Sequence, residues 1–402
     1  GNTLKLIISF CIPLIGGAIF QQLYNVVDTM IVGRFVGVDA LAAVGSTGSL
    51  NFLIIGFVLG LAAGFGIPIA QAFGAREEKR MLQTIMNAFY LCIFFSIVLT
   101  VLTHFTTETL LTWMQTPTNI FKQSYDYISI IFYGLTCTIA YNFLASVSRA
   151  LGDSKTPLLF VFIACIINII VDFVLVGYFH LGTKGAAIAT VSAQGFSFLF
   201  ALVYLCKKGI GYSFYKEDIC FSKYIQKIMQ IGFPLGLQSV LVNISFLIIT
   251  IIVNQMGLIA SAFLGVVEKL MGFLMLPAIV LGSVLASLIA LNVGAKQYKR
   301  AKQTLKYAIM ISLAFAIVVT TICEIDGTIL TCIFTNNQDV IKNGALYLKT
   351  YSIDCLLTSF LFCINGYLNG YEKTVFTMVH SLVATFVGRI PLTLLFSNNW
   401  IK

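Results

Sequence analysis

The chain is 402 residues long, 58% hydrophobic and only 10% charged, with 25 Lys and Arg against 16 Asp and Glu for a net charge of +9. Its mean hydropathy is +0.94, whereas soluble domains average about 45–50% apolar and about 25% charged residues. These figures exclude a soluble globular domain and describe an all-α polytopic membrane protein.

Apolar runs approaching the roughly 20 residues that a membrane-crossing helix needs recur from end to end. They predict eleven spans, near 8–33, 45–73, 85–105, 124–148, 157–179, 185–206, 229–255, 261–291, 305–324, 344–369 and 375–397. The first is too long and too polar for a cleaved signal peptide, and the opening Gly1 predicts a natural start further upstream. Within it, the stretch from Gln21 to Gly33 reads QQLYNVVDTMIVG. A carboxylate at helix centre costs about 2.5–3.5 kcal/mol on insertion scales, so Asp28 needs a function or a buried partner. Gln21, Tyr24, Asn25 and Asp28 are spaced three, four and seven apart, which places them on one helical face; Leu23, Val26, Met30 and Ile31 point elsewhere.

The fifth span repeats the pattern, with Asn168 and Asp172 four residues apart in NIIVD, and the sixth carries Thr190, Gln194 and Ser197 at helical spacing. Two carboxylates with amide and hydroxyl neighbours can share a proton or coordinate a hard cation such as Na⁺. The alternative is an interhelical hydrogen-bond seam that only holds the bundle together. Further along, Glu268 and Lys269 fall in the eighth span, Asp354 in the tenth, and His380 and Arg389 in the eleventh. Glu268 and Asp354 are candidates of lower rank, with an ion-paired structural role equally open. Arg389 is expected to snorkel to the outer leaflet and His380 to pack. The cysteines lack metal or disulfide spacing, Cys323 and Cys332 being the one pair placed to bridge.

Lys and Arg collect in alternate loops: Arg76, Lys79 and Arg80; Arg149 and Lys155; Lys207 to Lys227; Lys296 to Lys306; and Lys373. The positive-inside bias predicts that these loops and the amino terminus are cytoplasmic. That topology accounts for the net charge without a nucleic-acid partner, leaving a patch for anionic membrane lipid as the next reading.

The two halves of the chain correspond. Pro13-Leu14 recurs as Pro234-Leu235, GAREEKR (74–80) as GAKQYKR (294–300) and Tyr127 as Tyr347, at offsets of 220–221, and GDSKT (152–156) as GYEKT (370–374) at 218. Six spans in the first half predict parallel repeats: an N-terminal lobe over 1–206, a cytoplasmic linker over 207–227 and a C-terminal lobe over 228–402. The counterpart of the sixth span, and hence a twelfth helix, is expected beyond Lys402.

The motifs QQLYNVVDTMIVGRFVG with ALAAVGSTG, GFGIPIAQAFGA, SRALGDSKTP, NIIVD followed by GAAIAT, and GRIP together resemble the multidrug and toxic compound extrusion (MATE) transporters over essentially the whole chain, closest to the bacterial branch with its coupling acid in the first helix. The resemblance implies two six-helix lobes in a V, alternating access, and export of cationic amphiphilic drugs or dyes in exchange for H⁺ or Na⁺. It places the coupling site at Asp28, Asn168, Asp172 and Thr190, with Gln21 and Asn25 as neighbours, Tyr24 and Gln194 at lower rank, and a helix bend at Pro13. It implies no cofactor and no resident metal besides Na⁺ at that site, a monomer, and the bacterial inner membrane. Two rivals stand beside it. A lipid-linked oligosaccharide flippase needs a basic cavity, which the carboxylates of the first lobe oppose. An integral membrane enzyme finds no HExxH, no Ser/Lys dyad and only three histidines.

Overall fold

A computed structural model of the chain describes residues 3–208, 221–254, 264, 267, 270–332 and 338–400; these residues form helices and connecting turns and no strand. A backbone immersed in lipid has to satisfy its own N–H and C=O groups, which helices do locally. The first half contains α1 (Thr3–Phe35), α2 (Val38–Gly74), α3 (Glu78–Trp113), α4 (Thr118–Tyr133), α5 (Leu135–Ala150), α6 (Lys155–Asp172) and α7 (Gly182–Lys208). The second contains α8 (Tyr224–Asn254), α9 (Leu276–Gly294), α10 (Tyr298–Asp326), α11 (Gln338–Gly370), α12 (Thr374–Val383) and α13 (Ile390–Trp400).

Among the described residues, ten stretches are long and apolar enough to cross a membrane, and α4 with α5, bent by 46° about Gly134, make an eleventh. This matches the predicted number of spans. The predicted eighth span is interrupted: the chain bends at Met275 and α9 starts at Leu276, with Pro277 in its first turn, where a missing N–H costs nothing. Glu268 and Lys269 lie outside the described residues.

The repeat is visible in the turns. Arg76 and Lys296 both take left-handed backbone, at φ 57° and 56°. Each turn closes through the same hydrogen bonds: Ala75 N–H to Gln71 O, Arg76 to Phe73 and Glu77 to Ala72 in the first, and Ala295 to Leu291, Lys296 to Val293 and Gln297 to Asn292 in the second. After α5, Gly152 sits at φ 84°; after α11, the left-handed residue is Glu372, at φ 62°. The bonds Gly152 N–H to Arg149 O and Asp153 to Ser148 correspond to Glu372 to Asn369 and Lys373 to Leu368. The structural offset is therefore 220 here too. The sequence match of Gly152 with Gly370 is two residues out of register, because the second half puts a non-glycine residue where the backbone turns left-handed.

Small residues bring the halves together. Along α2 and α8, a methyl group added to Gly60 would come within 2.5 Å of the Leu235 carbonyl oxygen, and one on Gly64 would strike the Cα of Gly232. At the end of α2 that carries the basic turn, a methyl on Gly74 would meet the carbonyl oxygen of Leu291, and one on Gly294 that of Gln71. The apolar core follows the same contacts. Ile228, Ile231 and Ala290 join the first-half cluster around Phe65, Phe132 and Phe143, while Ile7, Phe10 and Cys11 of α1 join the second-half cluster around Val280, Leu285 and Leu288. The amino-terminal part of α1 thus packs on the opposite half from its own carboxyl-terminal part.

Candidate functional site: a buried carboxyl pair

Helix α1 runs unbroken through Pro13 and carries Asp28 to a position against α6 and α7. Helix α6 delivers Asn168 and, as its last α-helical residue, Asp172; from Phe173 to Tyr178 the chain widens into a π-helical turn. Such turns occur frequently at functional sites. Helix α7 delivers Thr190 and Gln194.

Asp28 is 7% exposed, Asn168 1% and Asp172 fully buried. The carboxyls of Asp28 and Asp172 adjoin, near enough to act directly on each other. Oδ1 of Asp28, both carboxyl oxygens of Asp172 and Oδ1 of Asn168 are shut off from solvent and accept no hydrogen bond. Asn168 Nδ2 donates to Thr190 Oγ1 at 3.4 Å. None of the ion pairs among the described residues reaches this cluster. A buried polar oxygen without a donor costs about 1–3 kcal/mol, and more when charged. Four such oxygens lie on three residues of α1 and α6.

Not every residue predicted for the site reaches it. Tyr24 is half-buried, lies beside Asp28 and pairs with Gln21. Gln21 and Asn25 themselves are exposed. Gln194 Oε1 accepts from the hydroxyl of Thr138 on α5. Ser197 donates to the Phe160 carbonyl at 3.1 Å, pinning α7 to α6. Two tyrosines that the sequence reading left out belong to the surroundings. Tyr127 of α4, buried, lies within electrostatic reach of Asp28, Tyr24 and Asp172. Tyr141 of α5 stands beside Tyr24 and Arg149. The recurrence of Tyr127 as Tyr347 was the one sequence signal for the first of them.

In the second half, Asp354 is exposed on α11 and lies near Arg389, not near the carboxyl pair. Arg389 closes a second π-helical turn, Ala384–Arg389, and its guanidinium sits 4.1 Å from the centre of the Phe246 ring. A cation–π contact thus ties Arg389 to α8. Cys323 is buried and Cys332 exposed, both are free, and Cys332 Sγ donates to the Ile329 carbonyl at 3.2 Å, so the one pair placed to bridge does not. His380 is exposed.

Comparison with known proteins places the chain. The MatE family matches residues 13–174 and again 234–395, stretches that coincide with the internal repeat. The chain is 31% identical over 318 residues to "Probable multidrug resistance protein YoeA" of Bacillus subtilis (strain 168), covering 75% of this chain and 67% of the relative. It is 28% identical over 399 residues to "Probable multidrug resistance protein YpnP" of the same organism, covering 99% and 89%. Its fold is similar to "Crystal structure of MATE in complex with MaL6", with a TM-score of 0.92 at 20% identity over 99% of this chain and 90% of that one. With two repeated lobes, membrane-crossing helices and a family match in each half, the chain belongs to the MatE family and is a multi-pass membrane transporter, not an enzyme.

Proposed function

We propose that this transporter is a secondary active multidrug exporter that expels cationic amphiphilic compounds in exchange for inward H⁺ or Na⁺, with Asp28, Asp172, Asn168 and Thr190 as the coupling site. The observation that carries the reading is the adjoining carboxyl pair, buried and unpartnered in the first half. Two negative charges in a dry interior are costly together. A proton or Na⁺ taken up between them relieves the cost and favours whichever arrangement of the lobes encloses the pair. Releasing the ion to the other side favours the arrangement that opens it. The names of YoeA and YpnP agree with a drug substrate, and an acidic interior suits organic cations.

The chain is placed in the bacterial cell membrane with its amino terminus and its basic turns in the cytoplasm, on the support of the Lys and Arg bias in alternate loops. The test is transport of a cationic dye in proteoliposomes under an imposed pH or Na⁺ gradient. Dye movement that follows one of the two ion gradients supports the reading and identifies the ion. Movement indifferent to both overturns it.

A further inference from the structure

The two basic turns related by the repeat differ in one chemical respect. In the first, Arg76, Lys79 and Arg80 are accompanied by Glu77 and Glu78, and Arg80 Nη1 pairs with Glu77 Oε2 at 2.9 Å. In the second, Gln297 and Tyr298 stand where the glutamates were, and Arg300 Nη1 finds only the neutral Gln297 Oε1, at 3.3 Å. Lys302 and Lys306 follow on α10, so five cations lie within eleven residues without a carboxylate among them. The packed neighbours bring no compensation. Helix α1 contributes Thr3 and Lys5; Tyr371 faces Lys302; Glu372 is engaged by Lys227 at 2.8 Å. Among the described residues, none of the five is in an ion pair.

Three of these cations, Lys296, Lys299 and Arg300, border a recess of about 640 Å³ between the first turn of α1 and the start of α10, lined also by Thr3, Tyr298 and Gln303. The lining offers charged and neutral donors to an anion, and the first backbone N–H groups of α10 face the same end of the helix. The surface of α10 below it identifies the kind of anion. Lys299, Lys302 and Lys306 are exposed along one face, and the same line continues through Met310 and Ile317, 56% and 55% exposed. A helix face that passes from ammonium groups to apolar side chains follows a phospholipid from headgroup to acyl chain.

We propose that the recess at 296–303 is a binding site for the phosphate headgroup of an anionic phospholipid, with acyl chains lying along the Met310–Ile317 face of α10. The first-half turn, where Glu77 and Glu78 offset two of the three cations, does not bind one. A free phosphate ester shares the headgroup chemistry but gains nothing from the apolar line.

The test is native mass spectrometry of the full chain in detergent with phosphatidylglycerol, phosphatidylcholine or soluble glycerol phosphate. Replacing Lys296, Lys299 and Arg300 together by Gln should weaken phosphatidylglycerol binding about tenfold or more, since each cation near an anionic surface is worth a severalfold factor. The matched control, Arg76, Lys79 and Arg80 to Gln, should stay within about twofold of the unaltered chain, as expected for removal of charges that are already compensated. Glycerol phosphate should not compete. In the unaltered chain, a diazirine-bearing phosphatidylglycerol should label α10 in preference to α3, a readout that holds even if the triple variant does not fold. Equal loss from both triples, equal retention of phosphatidylcholine, displacement by glycerol phosphate, or labelling without preference would each overturn the proposal.

Discussion

Gln71 of α2 donates a buried hydrogen bond from Nε2 to the carbonyl oxygen of Gly370 at the end of α11, 3.0 Å away and 299 residues along the chain. It ties the halves together one turn from the reciprocal contacts of Gly74 and Gly294. Gln71→Ala leaves the Gly370 carbonyl without this donor, at a cost of about 1–3 kcal/mol if water does not replace it. Gly74→Val forces its side chain against the Leu291 backbone, and overpacking of this kind costs about 1–3 kcal/mol. Both variants should melt at lower temperature in detergent, with Gly74→Val the more affected. An unchanged melting temperature for Gly74→Val would show that this end of the bundle is not closed in solution.

Asp28→Asn keeps volume and most hydrogen-bonding capacity while removing the charge, so the protein should fold. Ion-driven efflux should fall to the background of a vector control. The inward ion gradient is the energy source for that efflux, and a variant that does not take up the ion has no means of drawing on it. Asp172→Asn should fail likewise, and the double variant should be little worse than either single one, because both carboxyls serve one site. Efflux is to be measured in cells at matched expression. Additive losses would separate the two acids into different roles.

Asp354→Asn should retain most ion-driven efflux, since Asp354 lies with Arg389 and not with the carboxyl pair. Efflux reduced to the level of Asp28→Asn would move the coupling site, or a second one, into the other half.

Tyr127→Phe removes one hydroxyl beside both carboxyls without changing ring packing. The expected result is intact thermal stability with a changed pH or Na⁺ dependence of transport. A melting temperature that drops while the ion dependence is unaltered would make Tyr127 a packing residue only.

Topology has its own test. In a background with Cys206, Cys220 and Cys332 replaced by Ser, a cysteine at Arg76 should react with impermeant thiol reagents only from the cytoplasmic face, and one at Lys184 only from outside. The opposite pattern would invert the proposed orientation.

The span count, the repeat and the stripe of polar residues were legible because each rests on a local pattern: hydropathy over 20 residues, a fixed offset, or spacing along one helix. Convergence of Asp28 with Asp172 was less accessible, since nothing in either helix says which neighbour it packs against. Tyr127 and Tyr141 escaped because a tyrosine within a span is ordinary, its ring apolar and its hydroxyl able to find a partner almost anywhere. Asn25, three residues from Asp28, lies at the edge of the polar face and is exposed. The shift from 218 to 220 at Glu372 was invisible because residue identity, not backbone conformation, drives a sequence match. The π-helical turns after Asp172 and Val383 carry no proline or unusual composition to announce them.

Gly74 approaches the residue whose repeat partner Gly294 approaches in return, so the contact is exchanged by a two-fold axis. This is the geometry of an isologous interface, self-complementary as in a homodimer. The chain is in that sense a dimer whose subunits are tethered in tandem, with one-to-one stoichiometry guaranteed by the peptide bond. Tethering removes the requirement that the halves be identical: one holds an acid pair in its interior while the other has no glutamate in its surface turn, and neither feature has to be tolerated twice.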